Sequence, residues 1–261
     1  MVYLKDILEK LEQLSPLSMA MDWDNSGFLV GDREAEIHRV LIAVDATKDV
    51  VEEAVEKRAD LILTHHPMIF KPIKRVVKED TVGEKIITLA RHNISVVCMH
   101  TNFDVIGMAD EVADRLDLKN KEVLEVTFED DISKEGLGRF GELPREMSLK
   151  ELAELVKLKF RIPNVMMYGE SDAIVEKVAI CGGSGRSMIP YAIKNGCREF
   201  ITGDIDYHSA LDAMQDGLYL IDAGHFGIEK IFIPYMKDFF AREVRDVVAI
   251  SSEQKSIGTV I

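Results

Sequence analysis

Seven histidines are spread along the 261 residues, and five fall at or just past the ends of runs that read as β-strands. His65 and His66 close the aliphatic run "LILTHH", His100 closes "SVVCMH", His225 follows "LYLIDAG", and His208 lies just past "ITGD". Imidazole ligates divalent metals and also titrates near neutral pH, so these positions suit metal binding or proton transfer. His38 and His92 sit beside arginines in polar contexts and read as solvated.

Two carboxylates join the set. "GHFGIEK" spaces His225 and Glu229 four residues apart, which on a helix brings their Cβ atoms within about 5–6 Å on one face. Both side chains then reach one cation at ~2.0–2.2 Å, or two adjacent cations, and Gly224 lets the turn approach closely. Such a pair also arises by chance on solvated helices. "HTNFD" directly follows a strand; the two oxygens of Asp104 suit a metal bridge, but equally a cap for the helical "DVIGMADEVADRL".

The adjacent His65-His66 pair is the most telling. Along an extended chain neighbouring side chains point to opposite faces. A single metal therefore cannot readily take both unless the chain turns, whereas two metals can. Pro67 stiffens the exit by restricting His66 and removing one donor. The competing reading is a pair of core or surface histidines. Taken together, His65, His66, Asp104, His225 and Glu229 fit a site for two divalent metal ions. Imidazole and carboxylate donors suit Zn, Mn, Fe, Ni or Co. His100 and His208 are candidate proton relays.

Other signals are weaker. "CGGSGRS" (181–187) is a glycine-rich turn able to offer backbone N–H groups to an anion, but it lacks the lysine and spacing of a P-loop. Asp204 and His208 read as supporting groups or as helix caps.

These residues need a scaffold that gathers strand ends. "RVLIAVDA" (39–46), "LILTHH" (61–66) and "SVVCMH" (95–100) alternate with helical "KDVVEEAVEKRA" (48–59) and "VGEKIITLARHN", the order of βαβ units and a mainly parallel sheet. The stretch 39–66 lies without gaps over 177–204, matching Val40 to Val178, Ile42 to Ile180 and Thr64 to Thr202. "SVVCMHTNFD" likewise answers "LYLIDAGHFGIE". The expected fold is therefore α/β, with two similar halves from an internal duplication: 1–125, completed by a C-terminal strand at 247–251, and 126–261, including a connecting region at 126–176. Within that region Ser148 and Glu151 form a capping-box signature. Ligands gather outside the carboxyl ends of parallel strands, so the metal site is expected in a cleft between the halves.

Composition narrows the class. Thirty-two basic against 46 acidic residues give a net charge of −14, which argues against general nucleic-acid binding. Three widely spaced cysteines argue for a reducing compartment and against a disulfide framework. The opening "MVYLKDILEKLEQL" reads as an amphipathic helix and not as a signal peptide. With no run of roughly 18 apolar residues, the expectation is a cytoplasmic protein without a membrane span.

The motifs "WDNSGFLVGD", "LILTHHPMIF", "HTNFD", "GLGRFGELP", "ITGDIDYH" and "DAGHFGIE", in that order and nearly end to end, resemble the GTP cyclohydrolase I type 2 homologue family, or NGG-interacting-factor-three-like proteins. The resemblance implies paired α/β halves, a toroidal homohexamer, and a dinuclear site at His65, His66, Asp104, His225 and Glu229. One departure is Ile228, where many relatives carry threonine before the glutamate; it places a neighbouring hydroxyl contact in doubt.

The leading expectation is a metal-dependent hydrolase acting on a small molecule, either a nucleotide or another phosphorylated or cyclic amide compound. The alternative is a non-catalytic metal-binding scaffold or chaperone in a ring-shaped oligomer. A nucleotide-binding regulator built on "CGGSGRS" ranks third.

Overall fold

The computed structural model describes residues 1–258, which form two units. One comprises Met1–Phe103 and Phe232–Lys255; the other comprises Asp104–Ile231 with residues 256–258. The chain changes unit at Phe103/Asp104, earlier than the 125/126 boundary read from sequence, because the helix Ala109–Arg115 packs on strands of the second sheet. In chain order the strands are β1 (Gly27–Val30), β2 (Arg39–Ala43), β3 (Leu61–Thr64), β4 (Ser95–Cys98), β5 (Lys119–Glu129), β6 (Lys134–Ser148), β7 (Met166–Tyr168), β8 (Ile174–Ser184), β9 (Glu199–Gly203), β10 (Tyr219–Asp222) and β11 (Val248–Ser251).

The first unit holds one sheet in the order β1-β4-β3-β2-β11. Its β11, β2, β3 and β4 run parallel, and β1 closes the edge antiparallel to β4. Every residue of β3 and β4 is buried, which is why "LILT" and "SVVC" show no polar alternation; a parallel sheet covered on both faces needs continuous apolar strands. The helix Lys48–Glu56 starts where the Thr47 hydroxyl accepts from the Val50 amide, and it buries Val50, Val51 and Ala54. Each buried valine side chain of this kind contributes about 1.5–3 kcal/mol.

In the second unit the order is β5-β6-β8-β9-β10-β7. Its parallel centre, β8-β9-β10, repeats the register of β2-β3-β4. Val178 pairs Glu199 and Glu199 pairs Tyr219, as Val40 pairs Leu61 and Leu61 pairs Ser95. Val40 with Val178 and Leu61 with Glu199 are positions superposed by the ungapped alignment of 39–66 on 177–204. The edge matches too, since β7 runs antiparallel to β10 as β1 does to β4. What differs is the long antiparallel pair β5–β6 added beside β8, which makes this sheet mixed where the first is mainly parallel. Ser148 and Glu151 cap the helix Leu149–Phe160 reciprocally, satisfying two amides that the first turn leaves open.

Among the described residues, no helix is long and apolar enough to cross a membrane.

Candidate functional site

In the first unit three imidazoles gather just past the carboxyl ends of β3 and β4. Ring centroids of His65 and His66 are 4.9 Å apart, and His100 stands 5.4 and 5.5 Å from them. The expectation that His65 and His66 face opposite ways does not hold. The strand ends at Thr64, and the chain bends through both histidines, with the Thr64 hydroxyl donating to the His66 carbonyl at 2.8 Å. Strand alternation no longer applies there, so the argument from alternation to two metals loses its force.

Each ring is held through Nδ1. His65 is fully buried against Phe103 and Phe232, and its Nδ1 lies 2.8 Å from the Met99 carbonyl. A carbonyl only accepts, so Nδ1 carries the proton and Nε2 is the lone-pair nitrogen of the neutral ring. Asp45 holds His66 Nδ1 at 2.7 Å, and Asp24 holds His100 Nδ1 at 2.7 Å. An oxygen partner on one ring nitrogen is the arrangement that orients metal-ligating histidines and raises their basicity.

Asp24 was not anticipated as a site residue. Its side chain is fully buried and also accepts from the Asn25 amide and from the hydroxyls of Ser26 and Thr101. Burial alone would raise its pKa, but hydrogen bonds from His100, Ser26 and Thr101 outweigh that and hold the carboxyl well below the usual range. It stays ionised and fixes the His100 ring. The signal available was the polar "DNS" just before an apolar strand, a pattern more often read as a turn.

The second unit repeats the device with different residues. Asp204, at φ 57° just past β9, holds His225 Nδ1 at 2.7 Å. The other ring nitrogen lies 3.0 Å from Oε2 of Glu229, a carboxylate only 3% exposed. Gly224, at φ 73°, opens the short helix His225–Glu229 and realises the four-residue spacing. Burial opposes charge on His225, yet Glu229 and Asp204 outweigh it and raise the ring to about 9. A divalent cation would compete with that proton for the same electron pairs. Gly183 is required beside the pair: it sits at φ +63°, and a Cβ there would lie 2.5 Å from Glu229 Oε1.

Asp104 opens a π-turn, Asp104–Met108, ahead of the helix Ala109–Arg115, so the helix-cap reading is replaced by a mid-helix irregularity of a kind common at functional sites. The negative charges of Asp104 and Glu229 both act on Cys181, after burial itself, in driving its thiol pKa far up. His208 is exposed on the helix Tyr207–Gln215 with its ring edge-on to Tyr207, and it is not part of the His225–Glu229 pair. In the glycine-rich turn, exposed Arg186 pairs with Asp206 at 3.1 Å. His65, His66 and Glu229 carry donor atoms of the type that could hold a metal ion.

The sequence model of the Duf34/NIF3 (NGG1p interacting factor 3) family matches residues 2–256. A Clostridium acetobutylicum protein named GTP cyclohydrolase 1 type 2 homolog is 37% identical over 227 residues, covering 86% of this chain and 84% of its own. A Streptococcus pneumoniae protein of the same name is 36% identical over 234 residues, covering 87% and 86%. Among solved structures, a Staphylococcus aureus hypothetical protein superposes with TM-score 0.89 at 31% identity over 99% of both chains. HcgD from Methanocaldococcus jannaschii, in a reduced form, superposes with TM-score 0.84 at 29% identity over 97% of this chain and 98% of its own.

Proposed function

Given that the chain belongs to the Duf34/NIF3 family, we propose that it is a metal-dependent hydrolase in which His65, His66, Asp104, His225 and Glu229 hold two divalent ions. One observation carries this reading: the strand-end imidazoles each have Nδ1 fixed by an oxygen at 2.7–2.8 Å. Such anchoring is of little use to solvated or purely packed histidines, and it is what a ligand imidazole needs to present Nε2 in a set direction. The donor set of imidazole and carboxylate without thiolate suits Zn, Mn, Fe, Ni or Co.

When bound, the ions supply Lewis acidity and lower the pKa of water toward neutrality. The chain's own groups do the rest. Asp24 keeps His100 oriented beside His65 and His66, ready to take or return a proton as general base or acid. Asp45 and Asp204 keep His66 and His225 in one tautomer. The substrate class is a nucleotide or another phosphorylated or cyclic amide compound, and the assembly is a ring-shaped homohexamer, which light scattering on the purified protein checks directly.

The test is a hydrolase screen on protein loaded with each metal in turn, comparing wild type with Glu229→Gln and His66→Ala. Turnover that needs metal and disappears in both variants supports the proposal. Stoichiometric metal with no turnover on any substrate class would leave the non-catalytic scaffold or metal carrier as the better account.

A further inference from the structure

Trp23 is the only tryptophan in the sequence, and 61% of its surface is exposed. Phe70 is 47% exposed beside it, their rings meeting edge-on with centroids 6.0 Å apart. Both rings also stand edge-on to His100, at 6.0 and 6.5 Å. Two large aromatic rings left in water forgo the burial that normally stabilises such side chains.

Their exposure does not come from a loose loop. On one side of Trp23 the Met21 amide donates to the Thr101 hydroxyl at 2.9 Å, and on the other stands Asp24 with its buried hydrogen-bond set. The Asn25 side chain donates to the Ile69 carbonyl at 2.5 Å, tying the segment that carries Phe70 to the one that carries Trp23. The backbone is fixed while the rings project, so little ordering cost remains for a ligand to meet.

We propose that Trp23 and Phe70 are the substrate-recognition wall of the histidine cluster, and that the group they take is a planar heteroaromatic ring that stacks on one of them and meets the other edge-on. Several features favour a ring over a protein surface: the wall is small, it borders His100 directly, and Asp24, the residue next to Trp23 in the chain, fixes the His100 ring. Base–aromatic stacking tolerates many ring types, so the wall selects flatness and leaves polar selection to neighbouring groups. The role in selecting substrate rests on the hydrolase reading; ring binding itself does not.

Trp23 is its own reporter. The protein is titrated with GMP, AMP and, as a control lacking the ring, ribose 5-phosphate, following tryptophan emission, with equilibrium dialysis for variants at Trp23. Both nucleotides are expected to quench emission and ribose 5-phosphate to leave it unchanged. Phe70→Ala and Trp23→Leu are expected to weaken nucleotide binding about tenfold, the scale of one stacking contact, and Trp23→Phe by less. No quenching by either nucleotide at millimolar concentration, or equal binding by wild type and both truncated variants, overturns the proposal. Emission that shifts with protein concentration alone also overturns it, assigning the pair to contact between copies of the chain. Repeating the titration on metal-stripped protein separates the two readings. Ring binding that persists there stands even if no metal role survives, and metal-dependent turnover without ring binding leaves only the hydrolase reading.

Discussion

Gln254 holds Asp45 in place. Its side-chain oxygen accepts from the Val44 and Asp45 amides at 3.0 and 3.1 Å, and its nitrogen donates to Asp45 Oδ2 at 2.9 Å. The other Asp45 oxygen holds the His66 ring. The segment after β11 therefore reaches the proposed metal ligand through one carboxylate. Replacing Gln254 with Ala frees Asp45 and lets His66 choose its tautomer. The expected result is a folded protein whose metal affinity falls roughly 10- to 100-fold, the usual cost of losing an outer-shell partner. Metal titration monitored by calorimetry measures it; unchanged affinity would separate Gln254 from the site.

Gly183 and Gly217 both lie at positive φ, but only Gly183 faces Glu229. Alanine at either position meets the left-handed strain, which costs about 1 kcal/mol or more. Gly183→Ala must also push the Glu229 carboxylate aside, whereas nothing lies within 4 Å of a Cβ at Gly217. Similar losses of stability are expected from the two variants, with loss of bound metal from Gly183→Ala alone. Equal metal content in both would show that Glu229 is not a ligand.

Glu199 is fully buried at the start of β9, where its counterpart in the first half is Leu61. Burial pushes its carboxyl well above the usual range, and the Phe200 amide offsets this only partly. The folded pKa exceeds the unfolded one, so the stability contributed by the protonated group is complete below the unfolded value near 4.3. It is lost as pH rises through the folded value. Glu199→Leu is therefore expected to gain stability over wild type as pH rises, by roughly 1–3 kcal/mol at pH 8. Urea unfolding at pH 5 and pH 8 reads this difference, and an advantage that shrinks toward pH 8 would contradict it.

The three cysteines are buried. Desolvation pushes the Cys98 and Cys197 thiols up to about 12 and about 11, and Cys181 higher still, beside Asp104 and Glu229. Thiolate is the reactive form. The native protein is expected to resist a disulfide-exchange reagent at pH 8 and to release three thiol equivalents only in denaturant. Rapid labelling of one thiol in native protein would show that its surroundings open readily.

Much of this architecture was legible in the sequence, for local reasons. The βαβ order and the duplication follow from apolar runs with helical spacing between them, and the His225–Glu229 pair follows from a four-residue interval inside one helix. The partners that orient the histidines were not legible in the same way. Gln254 meets Asp45 across 209 residues, and Asp24 meets His100 across 76, so no local pattern announces either. Asp204 was noted only as one of several groups that could support the site. The relative direction of His65 and His66 was misjudged for a simpler reason: the strand stops one residue before them, and the period-two rule stops with it.

The central claim is that the anchored histidines and the two carboxylates hold metal. It is tested most directly by elemental analysis of protein purified without chelator, alongside His65→Ala and Glu229→Gln. The account predicts two equivalents of divalent metal per chain in the wild type and loss of at least one in each variant, with the fold intact by circular dichroism. Protein that takes up no divalent metal, or variants that keep the full complement, would contradict it.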